Sequence, residues 1–459
     1  MMTATLITRM EVRDLFGLYD YVLPQEEDLN NAAILYGDNG AGKSTVLRLA
    51  FHLLSAANNR GHRTALYAAD FSCLRVDLAN GSALIAERLT KRGVTYLRLA
   101  IQTNGSDTAV WEYAPDNERL FDDEYREVYV YQDANGTTRR RLRASRRPDG
   151  VAHGQQHYME ALGAIVPTVF ILSADRRLDS DAVSDPSDEM DVRRTLSYGE
   201  PKKLNQLVAR AREIALAQAM NKASQWVSRT AVSGTNRGST NVHSVYADVL
   251  HKIAPPRGRT SESNEQPDLA QLVRKLRDID ERSAALARYE FTTHLPTGDF
   301  QKALSTRSAK KAELAANLLK PYVKSVESKL SALEPLFRLI DRFVVMVNEM
   351  LSDKIISYKL SQGFSIVNRL GKPLRAEHLS SGEQQLLLLL CYVLTARDAP
   401  TVFMIDEPEL SLNVKWQRQL VQSLLQMTDG ASVQFLFASH SMELLAQHRH
   451  RVVRLDRRP

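Results

Sequence analysis

Cysteine is nearly absent: the 459-residue chain has two, Cys73 and Cys391. Two isolated thiols build no disulfide framework and offer no metal-ligand spacing, so a reducing cytoplasm is the expected location. Long apolar runs are lacking as well. The longest, Leu386 to Leu390 with a few neighbours, falls far short of the ~20 residues a membrane-spanning helix needs, and no membrane contact is expected. The first residues contain no signal-peptide core, because Arg9, Glu11, Arg13 and Asp14 interrupt them. A strong excess of either charge is also missing. Sixty Lys and Arg against 54 Asp and Glu leave a formal +6, which permits nucleic-acid contact without demanding it.

What is present changes period along the chain. Residues 1–190 read as β-rich, with hairpins expected across Ala79-Asn80-Gly81 and around Asn135-Gly136. Residues 191–351 read as helical. Leu204, Leu207, Ala211 and Ile214 mark one amphipathic stripe, and Leu269, Leu272, Leu276, Ile279 and Leu286 mark another. The third and longest runs from Val323 through Val326, Leu330, Leu333, Phe337, Ile340, Val344 and Val347 to Leu351, stepping by three and four. That rhythm suits helices packed along one another, as a coiled-coil arm or as an ordinary helical subdomain. Pro335 predicts a kink or break, and Ala254 to Asp268 has the composition of a flexible connection. Residues 352–459 return to α/β character, opening with a hairpin across Ser361-Gln362-Gly363.

Three short segments carry chemistry. Gly37-Asp38-Asn39-Gly40-Ala41-Gly42-Lys43-Ser44-Thr45 matches the phosphate-loop pattern between an apolar strand and an apolar helix. Its glycines let backbone N–H groups close on phosphates, with Lys43 reaching the β- and γ-phosphates and Ser44 a ligand for Mg²⁺. "TVFMIDEPE" carries a buried strand into Asp406, suited to the Mg²⁺, and Glu407, suited to orienting and deprotonating water. His440 ends the next expected strand, where an imidazole would hydrogen-bond a γ-phosphate. The third segment, "HLSSGEQQLLLLL", opens a buried helix with small polar residues, a first turn that an anion can approach closely.

Along the chain the order is phosphate loop, "LSSGEQQ", strand with "DE", strand with "SH". In that order the segments resemble the ATP-binding-cassette ATPases: an α/β P-loop fold with a β-rich first lobe, a helical insertion, and a C-terminal lobe carrying signature peptide, Walker B and switch histidine. The resemblance implies ATP and Mg²⁺ as cofactors. It also implies that Ser380, Ser381, Gly382 and Glu383 act on ATP held by a neighbouring subunit, although Ser381 stands where that family usually has glycine. The cassette glutamine loop has no glutamine here; "SADRR" places Asp175, Arg176 or Arg177 there. Phe16 or Tyr19 is a candidate for stacking on the adenine, but a place in the core is the favoured expectation for each.

The form of the phosphate loop is similar to the SMC, RecF and OLD group. "LSSGEQQ", "IDEPELSLNVKWQ" and "LFGLYDY" are especially similar to OLD-like ATPases of bacterial phage defence. With no room for a nuclease domain after His440, the chain looks like stand-alone subunits such as AriA of PARIS or PtuA of Septu. That likeness implies ATP-dependent dimers or a hexamer, a separately encoded TOPRIM or HNH nuclease as effector, and a phage product as trigger. A RecF- or SMC-like ATPase clamping DNA is the competing expectation. The basic run Thr137 to Arg147, with Arg139 at its start, is either a nucleic-acid contact or a solvated arm. A transporter's energy subunit fits less well, given the long insert.

Overall fold

The computed structural model describes residues 5–25, 27–58, 60–91, 93–115, 128–132, 138–142, 149–174, 178–181, 201–239, 269–306, 308–411 and 414–455. The chain begins with β1 (Ile7–Leu15), β2 (Tyr19–Leu23), β3 (Ala32–Tyr36), α1 (Lys43–Leu54) and α2 (His62–Ala68). A run of strands follows: β4 (Cys73–Leu78), β5 (Ser82–Lys91), β6 (Val94–Thr103), β7 (Ser106–Tyr113), β8 (Val128–Gln132) and β9 (Thr138–Leu142). Then come α3 (Asp149–Ile165), β10 (Thr168–Leu172) and β11 (Leu178–Ser180). The helical stretch is α4 (Pro201–Ser239), α5 (Leu269–Ala287), α6 (Gly298–Leu304) and α7 (Ala309–Met350). After it lie β12 (Lys354–Lys359), β13 (Gly363–Asn368), β14 (Pro373–Leu374) and α8 (Ser381–Thr395). The chain closes with β15 (Thr401–Asp406), α9 (Val414–Met427), β16 (Val433–Ala438), α10 (Met442–Gln447) and β17 (Val452–Arg454).

Two compact units divide these elements: residues 1–211 with 396–459, and residues 212–395. The first combines two six-stranded sheets. One is antiparallel in the order β2-β1-β4-β5-β6-β7, and β4–β5 is the hairpin expected across Ala79-Asn80-Gly81. The other runs β11-β10-β15-β16-β3-β17 and is parallel except at β11. Its central strands β15 and β16 are buried at every position, as expected of a parallel sheet covered on both faces. Helix α1 shares one core with residues of both sheets. Val46, Leu47, Leu49, Ala50, Phe51, Leu53 and Leu54 pack with Leu74 and Leu84 of the first and Met404 and Leu436 of the second. A helix apolar around most of its circumference is one buried on most sides.

Gln434 ties the two sheets together. It is fully buried on β16, accepts from the N–H groups of Leu6 (3.1 Å) and Ile7 (2.7 Å), and donates to the carbonyls of Ile7 and Asn30, both at 2.9 Å. A buried amide with every group matched costs little and specifies one arrangement. β8 and β9 pair as a separate hairpin, as expected, while their turn at 133–137 lies outside the described residues.

In the second unit α5 and α7 run parallel. Lys275 pairs with Glu327 (3.0 Å), Arg282 with Glu334 (2.9 Å) and Arg288 with Asp341 (2.5 Å), so the acidic partners recur every seven residues. Each of these partly exposed pairs contributes little by itself, but the ladder sets register. The expected break at Pro335 is absent: α7 stays helical through Pro321 and Pro335. The stripe expected through Ile214 also needs correction. Ile214 is 42% exposed, and α4 instead buries Leu216, Ala219, Ala223, Trp226, Val227 and Ala231. Small residues on that face, with Ser224 Oγ accepting from the N–H of Phe364 (3.0 Å), bring α4 against the β12–β13 hairpin. The hairpin and α8 cluster with the helices rather than with the chain after 396, a division that differs from the expected boundary at 351/352.

Candidate functional site

The parallel sheet sets the site. Leu172, Ile405, Phe437 and Ile34 lie level across β10, β15, β16 and β3. The residues just past that line therefore emerge together at the carboxyl ends of the strands, where α/β sheets take their ligands. Those residues include Glu407, His440 and the phosphate loop.

The loop joins β3 to α1. Gly40 and Gly42 both have φ 84°, a conformation that favours glycine. At Gly42 space also decides: a Cβ would sit 2.8 Å from Leu15 Cδ2. Gly42 caps α1 with no side-chain hydrogen bond, leaving first-turn N–H groups for a ligand. Tyr21 braces the loop by donating to the carbonyl of Ala41 at 2.9 Å. Lys43 is buried, and its Nζ donates to the carbonyls of Gly37 (2.8 Å) and Asp38 (3.1 Å). Its charge is thus held inside the loop by neutral acceptors that phosphate oxygens can replace.

Ser44 Oγ donates to Asp406 Oδ1 at 2.7 Å, joining two residues 362 positions apart. Asp406 is 2% exposed; burial raises its pKa, against hydrogen bonds from Ser44 and the Ala174 N–H and the field of Arg48. A hydroxyl beside a desolvated carboxylate is a donor set of hard oxygens that fits Mg²⁺.

Glu407 follows at φ 48°, an unfavourable conformation for a side chain with a Cβ, held by its own N–H donating to the Ala438 carbonyl at 2.8 Å. Its carboxyl is pushed up to about 7, first by burial and then by the neighbouring Glu409, with His440 opposing. His440 Nδ1 lies 2.6 Å from Glu407 Oε2, and the imidazole is half exposed. A carboxyl poised near neutrality beside an imidazole suits proton transfer from water.

In the second unit Ser380 and Glu383 form a capping box. Ser380 Oγ accepts from the Glu383 N–H at 3.3 Å, and Glu383 Oε2 accepts from the Ser380 N–H at 2.7 Å. Lys354 of β12 donates to both Glu383 oxygens, at 3.0 and 2.9 Å. Gln384 adds bonds to the carbonyls of Ala376 (2.8 Å) and Leu379 (3.3 Å). Ser380 and Ser381 stay exposed.

The sequence-predicted residues Lys43, Ser44, Asp406, Glu407 and His440 thus converge in the first unit. Asp175, Arg176 and Arg177 lie outside the described residues. Phe16 is no core residue: it is 41% exposed at φ 59° in the β1–β2 turn, its ring edge 3.4 Å from where a Gly42 Cβ would stand. Tyr19 is half-buried and stacks on Tyr21, ring centres 5.7 Å apart. Sequence reasoning missed Lys354 and Glu409. The carboxyl of Glu409 is visible in "DEPE", but its partners sit 30 to 32 residues later.

Comparison with known proteins finds matches to ATP-binding proteins. Residues 252–446 match the family model described as "AAA domain, putative AbiEii toxin, Type IV TA system". The chain is 32% identical over 101 residues to the phosphonates import ATP-binding protein PhnC of Lactobacillus delbrueckii subsp. bulgaricus, covering 22% of this chain and 38% of that protein. It is 32% identical over 123 residues to the lipoprotein-releasing system ATP-binding protein LolD 2 of Rhodopseudomonas palustris, covering 25% and 52%. The chain thus spans about half or less of the curated relatives it matches. An Smc head domain from Pyrococcus furiosus, solved bound to the C-terminal domain of ScpA, overlays with a TM-score of 0.31 at 10% identity, over 96% of this chain and 91% of that one. So loose a likeness carries no functional conclusion. With the P-loop geometry, these sequence matches support an ABC-type P-loop ATPase fold. No helix among the described residues is long and apolar enough to cross a membrane.

Proposed function

We propose that ATP closes two copies of this ATPase on one another, and that its hydrolysis lets them part. In each half, the loop from Gly37 to Thr45 cradles the triphosphate, and Lys43 exchanges the Gly37 and Asp38 carbonyls for phosphate oxygens. Ser44 and Asp406 would hold Mg²⁺, which would supply charge neutralisation to the triphosphate. Glu407 orients the attacking water and takes its proton, while the oxygen attacks the γ-phosphorus and ADP leaves. His440 orders that water, and Phe16 stacks on the adenine. Ser380, Ser381 and Gly382 of the other copy complete the site.

The observation that carries the shared site is the state of the signature turn. A carboxylate at a helix tip would repel phosphate, but Glu383 points its charge into Lys354 and leaves exposed hydroxyls at a positive helix end. Such a turn is prepared for an anion its own capping does not require. Above the chemistry, the likeness to OLD-type defence subunits supports a sensor and scaffold role: ATP-held assemblies, dimeric or hexameric, keep a separately encoded TOPRIM or HNH nuclease inactive until a phage product disturbs them.

The test is Glu407→Gln. That variant should bind ATP, lose about 100-fold or more in turnover, and accumulate as an ATP-dependent dimer or higher assembly by size-exclusion light scattering. A monomer at saturating ATP would refute the closure. A DNA-clamping ATPase is the second reading, favoured by β9, whose Arg139, Arg140 and Arg141 stand in register opposite Tyr131, Val130 and Tyr129. DNA-stimulated hydrolysis with a steep salt dependence would select it.

A further inference from the structure

The buried carboxylate of Glu409 has no role in the chemistry just described, yet three donors converge on one of its oxygens. Oε1 accepts from Ser439 Oγ at 2.6 Å and from the backbone N–H groups of His440 and Ser441, both at 3.0 Å. The side chain is 7% exposed, so these bonds are shielded from competing water. A ring of bonds closes behind it. Ser441 Oγ donates to Gln417 Oε1 on α9 at 2.9 Å, and Gln417 Nε2 donates to the Glu409 carbonyl at 3.3 Å. Ser441 also caps α10 by accepting from the Leu444 N–H at 3.4 Å. In front, His440 Nδ1 stands 3.5 Å from the same Oε1 and 2.6 Å from Glu407 Oε2.

From this arrangement we infer that Glu409 is a positioning residue for hydrolysis: it holds the Ser439-His440-Ser441 turn so that the His440 imidazole meets Glu407 and the water. The inference rests on the ATPase reading of the site. The turn ends a strand and begins a short helix, and no other side chain among the bonds described here gathers both peptide N–H groups. A one-residue change of peptide orientation there would swing the imidazole away from Glu407. Charge-assisted bonds from two amides and a hydroxyl resist that swing more strongly than neutral ones. Because Glu409 lies in the 3-10 turn Pro408–Ser411 directly after Glu407, one segment sets both members of the pair.

The test is a double-mutant cycle on the full chain, with kcat, KM for ATP and the melting midpoint of each variant. Glu409→Ala should lower kcat about tenfold or more with KM within about threefold of the parent, and Glu409→Gln, which keeps an acceptor oxygen, should recover most of the loss. His440→Ala should lower kcat by a similar factor, and Glu409→Ala added to it should lower kcat no further, because the residue acts through His440. A merely structural role would make the two losses multiply, and that result overturns the inference. So does a glutamine variant as slow as the alanine one. Should Glu409→Ala not fold, Gln417→Ala opens the ring from α9 and should lose about threefold in kcat alone; parental kcat there contradicts the proposal. Glu407→Gln in the same series separates the two levels: if it turns over like the parent, the reading of the site falls, and if it alone is slow, only the role of Glu409 does.

Discussion

Two helices of this protein begin with glycine and serine, and they begin differently. Helix α1 starts at Gly42 with no side chain on its first N–H groups, and a lysine buried against loop carbonyls. Helix α8 starts with its own capping box, and the capping carboxylate is matched by a lysine from the neighbouring hairpin. The first end is left for a ligand to satisfy; the second is satisfied already and merely cleared of negative charge. A helix end that binds the body of a triphosphate should depend on ligand for its order. One that touches a single phosphate on arrival must keep its shape between encounters.

The comparison breaks most severely at α1. Lys43→Ala should raise the ATP dissociation constant about 100-fold or more by titration calorimetry, with the signature turn untouched; parental affinity would remove the phosphate-loop assignment. At α8 the expected effect is smaller. Lys354→Met leaves Glu383 charged and uncompensated, so turnover should fall about tenfold while ATP affinity holds, and adding Glu383→Gln should restore most of it. A double variant as slow as the single would show that the pair only braces the helix. Gln434→Ala touches neither end. Stranding the N–H groups of Leu6 and Ile7 should cost about 3 kcal/mol in denaturant unfolding, with ATP affinity of the folded protein unchanged.

The smallest effect is on pH. The folded Glu407 carboxyl titrates at about 7, above its ordinary 4.5, so the folded, nucleotide-free protein binds this proton more tightly than the unfolded chain. The stabilisation is fully present below about 4.5 and is lost as pH rises through about 7. Glu407→Gln should therefore raise the melting midpoint more at pH 8 than at pH 5. An equal change at both would place the carboxyl's titration elsewhere.

Much of this was legible in the sequence where one short segment does one local job. The phosphate loop, the strand ending in Asp406 with Glu407 just past it, and the hairpins at Asn80-Gly81 and Gly363 are contiguous patterns, each legible within one short segment. What stayed hidden is what distant segments do to each other. The Ser44–Asp406 bond spans 362 residues, and nothing local marks Gln434 as the tie between two sheets. Glu409 reads as one more acid after a strand until the turn at 439–441 folds onto it. Ile214 was placed inside by its period, whereas small residues on another face of α4 let the β12–β13 hairpin approach. The capping box of α8 was present in the letters, yet the lysine that neutralises it belongs to a strand whose pairing had to be known first.

The claim on which all of this turns is that each nucleotide is shared, gripped by α1 of one copy and completed by α8 of the other. Lys43→Ala and Ser380→Arg each disable one half, so either alone should be inactive. Mixed in equal amounts they should regain hydrolysis, up to about a quarter of the parental rate if two-fold-related sites act independently, because a mixed pair carries one intact composite site. If the mixture stays as inactive as its components while both variants fold and associate, the nucleotide is not shared between copies.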